Sequence, residues 1–354
     1  MTDAPLSLRV SVLDQSPIAE GASGSDALHN SVDLAQLADQ LGYHRYWVAE
    51  HHGTPMLACA SPEALIGPIA ASTRRIRVGS GGVMLPHYSP LKVAETFSML
   101  AGLYPGRIDL AVGRAPGTDP ATTFALQRDR RHAAPDDFAE QLVELLGYLS
   151  GTMPDNELFA RLTTLPGRPE RPDPWLLGSS PQSGMWAAQL GLPYAFADFI
   201  NPTGAAVARR YQETFRPSDW RAAPDTLVAM WAVCAETDAE AERLAASTDM
   251  AFALLQRGQL IPVPPVETAL RFLEGERARG ALPGRQRRRI VGAPTTVRTG
   301  IEAVAREYGA DEVMVVTITY EHAARRRSYE LIAEAFGLRA APGIAAPAPA
   351  GAGL

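Results

Sequence analysis

Eight short apolar segments, each followed by at least one helical segment, place the strongest constraint on how this chain folds. The predicted strands are Leu8–Leu13, Arg45–Ala49, Ile76–Gly79, Arg107–Val112, Trp175–Leu177, Tyr194–Ala197, Thr226–Cys234 and Glu312–Thr319. The predicted helices are Ser31–Leu41, Pro62–Ser72, Leu91–Leu103, Asp136–Ser150, Gln182–Leu190, Pro202–Phe215, Ala239–Leu255, Thr295–Tyr308 and His322–Phe336. Alternating strands and helices form parallel sheets, and eight such units can close on themselves. The sequence therefore predicts an α/β fold, a (β/α)8 TIM barrel.

Two irregular stretches, Thr152–Pro174 and Gln256–Val291, interrupt this alternation. We expect both insertions at the C-terminal face of the barrel, because long loops at that end often cover an active site. A doubly wound open sheet is the alternative, although it usually contains fewer units. We predict a single barrel domain over residues 1–338 and a disordered Ala/Pro/Gly tail over residues 339–354.

Charge and composition argue against several classes of protein. The formal charge of −6 disfavours nucleic acid or an anionic membrane as the main partner. Two cysteines, Cys59 and Cys234, are too few for a disulfide framework or a cysteine zinc site. No apolar stretch reaches the roughly 20 residues of a membrane helix, and Met1–Ser7 does not resemble a secretory signal. We therefore expect a cytoplasmic enzyme that acts on small molecules.

Three ionisable residues, Glu50-His51-His52, follow the second predicted strand. Such side chains are costly in a packed core, whereas the C-terminal ends of barrel strands carry active sites. Adjacent strand residues point to opposite faces, so the two histidines cannot readily chelate one metal, and we expect no metal site. His51, whose ordinary pKa is near neutrality, is the candidate proton or hydrogen-bond donor. Glu50 would orient His51 or stabilise the barrel mouth, and His52 would be structural.

A phosphate site is predicted where the fourth and fifth strands end. Arg114 follows Gly113 after strand four, and its planar fork suits a phosphate group. Ser180 and Ser183 stand at the start of a helix, where free N–H groups bind anions. The alternatives are a structural salt bridge for the arginine and ordinary helix capping for the serines. Together, at adjacent strand ends, these residues favour a phosphorylated ligand.

Glycines follow the third strand, in the run Gly79-Ser80-Gly81-Gly82. Glycine lets the backbone approach a flat ligand closely. The G-x-G-x-x-G spacing is missing and no Walker lysine follows, so neither nucleotide fingerprint applies. A flat ring on Gly81 and Gly82, with its phosphate at strands four and five, suggests a mononucleotide such as FMN.

Several segments together resemble the bacterial luciferase-like flavin monooxygenases. They are Trp47–His52, Val78–Pro86, Gly113-Arg114, Trp186–Pro193 and Gly309–Val315. The resemblance spans about Leu8 to Phe336 and depends on the order and strand-end placement of these segments. It implies a (β/α)8 barrel that binds reduced FMN or, in one branch of the family, the deazaflavin F420.

The resemblance also implies roles for individual residues. His51 matches the family's catalytic histidine near the reactive edge of the flavin. Arg114 matches the arginine that binds the flavin phosphate, and Ser180 and Ser183 match phosphate-binding hydroxyl positions. Gly81-Gly82 falls where the family has a non-prolyl cis peptide beneath the flavin ring.

The implied function is a flavin-dependent monooxygenase. Reduced FMN from a separate flavin reductase would react with O2 to give a peroxyflavin, which oxygenates a small organic substrate. Two alternatives are an F420-dependent hydride-transfer oxidoreductase and a non-catalytic flavin-binding accessory subunit; His51 and Arg114 argue against the second. The resemblance further implies a homodimer, for which Pro62–Ser72 and Leu91–Leu103 could supply the contact face.

Overall fold

Eight parallel strands close into a barrel, as the sequence predicts. The computed structural model describes residues 8–115, 118–127, 129–132, 136–153, 159–166, 170–280 and 288–339. Its strands are β1 (Arg9–Asp14), β2 (Arg45–Val48), β3 (Arg77–Met84), β4 (Ile108–Gly113), β5 (Asp173–Gly178), β6 (Tyr194–Ala197), β7 (Thr226–Cys234), β8 (Ile290–Gly292) and β9 (Glu312–Val316). Strands β1 to β6 pair in chain order, β6 pairs with β7, and β9 closes the barrel between β7 and β1. The short β8 pairs only with the C-terminal end of β7.

The helices of the described residues surround this barrel. They are α1 (Gly24–Leu41), α2 (Pro62–Ser72), α3 (Pro90–Leu103), α4 (Pro120–Leu126), α5 (Phe138–Ser150), α6 (Pro181–Leu190), α7 (Ala205–Thr214), α8 (Asp238–Leu255), α9 (Val266–Ala278), α10 (Pro294–Tyr308) and α11 (His322–Phe336). Their ends follow local signals: α1 begins after Ser23, which forms a capping box with Asp26, and ends at Gly42 in the left-handed conformation. Within the part of the chain that the structure describes, no helix is long and apolar enough to cross a membrane.

Three elements differ from the sequence prediction. Helix α1 begins at Gly24 rather than Ser31, because the capping box lies upstream of the first residues of the apolar stripe. Helix α4 was not predicted, and its residues are largely exposed, so it lacks the buried face that periodicity detects. Helix α9 and strand β8 lie inside the stretch Gln256–Val291, which was predicted to be irregular.

The two insertions lie at opposite ends of the barrel. Val263, in the second insertion, pairs with Ala19 in the loop that follows β1, and therefore lies at the expected C-terminal end. The expectation for Thr152–Pro174 was wrong for the residues of this stretch that the structure describes, because they lie between the end of α5 and the start of β5 and so at the N-terminal end. Arg171 accordingly stacks on Trp220, in the segment that leads into β7, with its guanidinium carbon 4.1 Å from the ring centroid. The predicted tail lies outside the described residues, apart from residue 339.

A buried ion network closes the N-terminal end of the barrel. Asp109 of β4 is fully buried and accepts hydrogen bonds from Arg45 Nη1 (2.9 Å) and Trp47 Nε1 (2.8 Å). Arg77 Nε donates to the other carboxylate oxygen (2.9 Å), and Arg45 Nε donates to the buried Glu312 (2.9 Å). Burial alone would raise the pKa of Asp109, but the adjacent arginine charges lower it below its ordinary value. This network fixes the strand ends opposite the site described below.

Candidate functional site

A cavity of about 260 Å³ lies at the C-terminal end of the barrel. Six of the seven site residues predicted from the sequence line it: His51, Gly81, Gly82, Arg114, Ser180 and Ser183. The seventh, Glu50, does not line the cavity and is fully buried. Residues at or just after the C-terminal ends of β2, β3, β4 and β5 therefore meet in one cavity, as the sequence predicts.

Bare backbone forms one wall of the cavity, at the end of β3. The Gly81–Gly82 peptide is cis, as the resemblance implies, and the pairing of β3 with β4 shifts register there. A Cβ on Gly81 would lie 2.6 Å from Leu13 Cδ1, and one on Gly82 would lie 2.1 Å from Leu177 Cδ1. Since both distances are far inside contact range, only glycine fits at these two positions without displacing the cavity walls. The site thus presents a flat backbone surface.

Arg114 lies exposed at one end of the cavity, just after β4. Its guanidinium carbon is 5.6 Å from the centroid of the Trp186 ring, and Trp186 in turn packs against Phe138 at 5.3 Å. Among the residues that the structure describes, no carboxylate lies within salt-bridge distance of Arg114. The structural salt bridge weighed as an alternative is therefore not observed, and the guanidinium fork is available to an anion.

The serines lie beside this arginine, at the start of α6. Ser180 is the N-cap, and its hydroxyl accepts a hydrogen bond from Ser183 N at 3.4 Å. The Ser183 hydroxyl is more fully used, because it donates to Ser180 O and bonds to Tyr194 OH, both at 2.9 Å. Ser183 therefore organises the first turn, and Ser180 lines the cavity together with Arg114.

His51 projects into the cavity as a neutral imidazole. Burial lowers the pKa of His51 to about 4, and the neighbouring His52 acts in the same direction. This corrects the expectation of a pKa near neutrality, because that expectation took no account of burial. His51 Nδ1 is enclosed and has no hydrogen-bond partner within the described residues. One ring nitrogen can donate and the other can accept, so His51 is equipped to bind a polar atom of a ligand.

Glu50 is paired with His52 and not with His51. Its Oε1 accepts from His52 Nε2 (2.7 Å) and Tyr88 OH (3.0 Å), and its Oε2 accepts from Met84 N (2.9 Å). The expectation that Glu50 orients His51 is therefore wrong, and the alternative expectation, that it stabilises the barrel mouth, agrees with the geometry. Through Met84 N, Glu50 holds the end of β3 and with it the backbone that follows the glycine pair.

Comparison with known proteins decides the family. The model of the luciferase-like monooxygenase family matches residues 8–312. The chain belongs to this family. A luciferase-like monooxygenase of Escherichia coli strain K12 is 41% identical over 94% of this chain and 97% of its own. An N-acetyl-S-alkylcysteine monooxygenase of Bacillus subtilis strain 168 is 37% identical over 93% and 98%.

Solved structures are similar to this chain in fold. The crystal structure of apo-MsnO8 is 40% identical, covers 94% of this chain and 98% of its own, and superposes with a TM-score of 0.84. Two more distant structures share the fold alone. One is the FMN-bound oxygenating constituent of 3,6-diketocamphane monooxygenase from Pseudomonas putida, with 20% identity, coverage of 92% and 97%, and a TM-score of 0.66. The other is an F420-dependent secondary alcohol dehydrogenase, with 13% identity, coverage of 93% and 99%, and a TM-score of 0.63.

The opposite wall of the cavity was not predicted from the sequence. That wall, called the apolar wall below, consists of Phe199, Ile200, Leu227, Ala229 and Met314. Gln15 also lines the cavity and was not predicted. A signal was present: Leu227 and Ala229 are two residues apart in one strand, and strand alternation places both on the same face. In addition, within the described residues no group of acidic, histidine or cysteine side chains is arranged to hold a metal ion.

Replacing Glu50 with glutamine is expected to lower the free energy of unfolding by about 1–3 kcal/mol, because one buried donor is then left without an acceptor. The carboxylate accepts three hydrogen bonds, whereas a glutamine NH2 group would face a donor. Urea unfolding of E50Q beside E95Q, a change at a half-exposed surface residue, measures the difference. A loss of stability no larger in E50Q than in E95Q would show that the three hydrogen bonds do not stabilise the fold.

Proposed function

We propose that this luciferase-like monooxygenase binds reduced FMN in the barrel cavity and uses O2 to oxygenate a small organic substrate. The observation that supports this most strongly is the set of unsatisfied groups in one cavity. Arg114 lacks a carboxylate partner among the described residues, His51 Nδ1 lacks a hydrogen-bond partner there, and Gly81–Gly82 offers bare backbone between them. The Bacillus subtilis relative is named as a monooxygenase, and the Pseudomonas putida structure contains FMN.

The phosphate group of FMN fits the end of the cavity that Arg114 and α6 form. The guanidinium fork would bind two phosphate oxygens, and this geometry is the strongest that a side chain offers. The Ser180 hydroxyl would bind the third oxygen, favoured also by the dipole of α6. Because Arg114 stacks on Trp186, its orientation toward the cavity is already constrained before the ligand arrives.

The flat ring of FMN fits against Gly81–Gly82. A side chain there would displace Leu13 or Leu177, so the ring would contact the backbone itself. His51 lies just after the adjacent strand, β2. It would form a hydrogen bond to a polar atom of the bound flavin or to the oxygen that the flavin activates. Because the pKa of His51 is about 4, it would do so as a neutral group at physiological pH.

The apolar wall would determine what happens to the activated oxygen. Reduced FMN, when bound, supplies the electrons that activate O2 for transfer of one oxygen atom to a substrate. Leu227, Ala229 and Met314 present no polar atom of their side chains to the cavity, so they would exclude water from the reacting centre. Exclusion of water favours oxygen transfer to the substrate over release of hydrogen peroxide.

We also propose that reduced FMN comes from a separate flavin reductase, since the sequence contains no dinucleotide fingerprint for oxidising a nicotinamide cofactor. The proposed homodimer would use the faces of α2 and α3. Helix α3 supports this by exposing Met99 and Leu103, which are 56% and 68% accessible.

Replacing Arg114 with alanine is expected to weaken FMN binding by about tenfold to a hundredfold, because charge-assisted hydrogen bonds to the phosphate are lost. Riboflavin lacks the phosphate, so its affinity should change little. Fluorescence titration of R114A with both flavins measures the two effects, and R209A, a change at another exposed arginine, is the matched control. Equal loss of affinity for FMN and riboflavin would place the phosphate elsewhere.

The oxygenation itself is tested with labelled oxygen. The purified chain is mixed with FMN, a flavin reductase with its nicotinamide cofactor, and oxygen-18 gas. Two substrates of different charge are tried: N-acetyl-S-methylcysteine, an anion chosen from the name of the Bacillus subtilis relative, and cyclohexanone, an uncharged ketone. The proposal predicts that one product contains a single oxygen-18 atom and that its formation requires the chain. Flavin-dependent reduction of a substrate with no uptake of oxygen would instead favour hydride transfer.

A further inference from the structure

The cavity has two chemically different halves. The half formed by β3, β4 and β5 carries the glycine pair, Arg114 and the α6 serines, which the proposed FMN would occupy. The half formed by β6, β7, β9 and β1 carries the apolar wall and one polar side chain, Gln15. No charged side chain of the described residues lines this second half. The division indicates that the second half receives the substrate.

Gln15 is buried at 6% accessibility and its backbone is fixed from both sides. Ala49 N donates to Asp14 O (2.9 Å), and Ser16 N donates to Asp14 Oδ1 (2.7 Å). Ser16 has a φ of +50°, the left-handed region that non-glycine residues seldom adopt. The carbonyl oxygen of Ser16 accepts a hydrogen bond from Ala58 N (2.9 Å). The turn that carries Gln15 is therefore defined by its own hydrogen bonds and does not depend on a ligand.

Asp14 anchors that turn from behind the cavity. It is fully buried and receives hydrogen bonds from Arg325 Nη2 and Tyr46 OH, both at 2.5 Å. Burial would raise the pKa of Asp14, but the Arg325 charge and these hydrogen bonds lower it. Asp14 thus remains an ionised anchor, and the Gln15 side chain is held at the cavity by rigid neighbours.

No hydrogen bond joins the Gln15 carboxamide to another described residue, and the carboxamide is not among the enclosed polar atoms that lack a partner, so it is open to the cavity and a ligand that fills the cavity would bury it. A carboxamide can donate two hydrogen bonds and accept others, and burying it without a partner costs free energy. Buried polar groups in folded proteins are nearly always bonded to protein, to water or to a ligand. Gln15 lines the cavity, so its missing partner would come from the cavity itself.

We propose that Gln15 is a substrate-binding residue that selects uncharged, largely apolar molecules with a single carbonyl, amide or hydroxyl group. This inference depends on the proposed function, since the second half of the cavity is left for a substrate only if FMN occupies the first half. The apolar wall contacts the hydrocarbon part of the molecule, and the Gln15 carboxamide bonds its polar group. An ionised substrate is disfavoured, because its charge would be buried here without a counter-charge.

The test is calorimetric and needs no turnover. Binding of cyclohexanone, methylenecyclohexane and cyclohexanecarboxylate is measured on the FMN-loaded wild type, on Q15M and on Q15N. The first two probes have nearly the same shape and differ in a carbonyl oxygen, and the third carries a charge. Wild type should bind the ketone about tenfold more tightly than the hydrocarbon and also more tightly than the carboxylate. Q15M should lose this preference for the ketone, with unchanged affinity for the hydrocarbon, and Q15N should lose part of it.

Two further measurements separate this inference from the cofactor proposal. The exposed Gln259 provides the matched control, and Q259M should behave like wild type with all three probes. The FMN affinity of Q15M should stay within about threefold of wild type. An equal loss of FMN and ketone affinity would assign Gln15 to the cofactor, and an unchanged ketone preference would overturn its role in binding. Failure of the wild type to bind FMN would instead contradict the proposed function.

Discussion

Replacing His51 with alanine is expected to lower kcat for oxygenated product by about a hundredfold, the usual effect of removing one preorganised hydrogen-bond partner from a reacting centre. His51 lines the cavity, and no hydrogen bond within the described residues holds its side chain, so the ring can bond to a ligand atom. The affinity for FMN should change far less, because the phosphate contacts remain. The measurement is the rate of oxygen-18 incorporation, with H29A, a change at an exposed histidine of α1, as the control.

The pH dependence of the same reaction checks the protonation state of His51. Burial lowers its pKa to about 4, so activity should stay level from pH 8 to pH 6 and fall only as the solution approaches pH 4. Acidification would then protonate the ring and remove its acceptor nitrogen. The H51A variant should lack this acidic limb. A loss of activity centred near pH 6.5, present in wild type and absent in H51A, would contradict the neutral role.

Replacing Asp109 with asparagine is expected to lower the free energy of unfolding by about 3–5 kcal/mol, because it leaves buried arginine charges without their partner. The carboxylate accepts from Arg45, Trp47 and Arg77, and an asparagine NH2 group would face an arginine donor. Guanidinium chloride unfolding measures the loss. E240Q, which removes one partner of an exposed ion pair with Arg243, is the control and should cost less than about 1 kcal/mol.

The stabilising effect of Asp109 should also depend on pH. The pKa of this carboxyl is lowered in the folded chain, so the folded state holds the ionised form more strongly than the unfolded state does. The contribution is therefore complete above the unfolded pKa, near 3.9, and is lost as the pH falls below it. D109N should flatten the acidic part of the stability profile, whereas a profile parallel to wild type would show that Asp109 is not part of the pH response.

The fold and most of the cavity could be predicted from the sequence, because both depend on one regular feature of parallel barrels. Parallel barrel strands present their C-terminal ends at the same face, so residues such as His51 and Arg114, distant in sequence, must meet there. The same regularity placed the glycine pair correctly. It failed for Thr152–Pro174, since a helix-to-strand connection lies at the other end of the barrel. The order of elements, a helix before this stretch and a strand after it, would have placed the stretch correctly.

Other features depended on side-chain contacts that a single sequence does not show. Glu50 was expected to orient His51, yet it binds His52, because residues one and two positions apart differ in which face of the chain they occupy. The low pKa of His51 required knowledge of burial. Gln15 was not predicted, because a single glutamine after a strand belongs to no recognisable motif and its position at the cavity depends on the fold.

The cofactor assignment is tested most directly by an anaerobic titration of the purified chain with reduced FMN and, separately, with reduced F420, each followed by admission of O2. Reduced FMN should bind at micromolar concentration, at least about tenfold more weakly in R114A, and the bound complex should consume O2. Binding of reduced F420 with no consumption of O2 would favour hydride transfer. Failure of the chain to bind either reduced cofactor at micromolar concentration would contradict the assignment of the cavity.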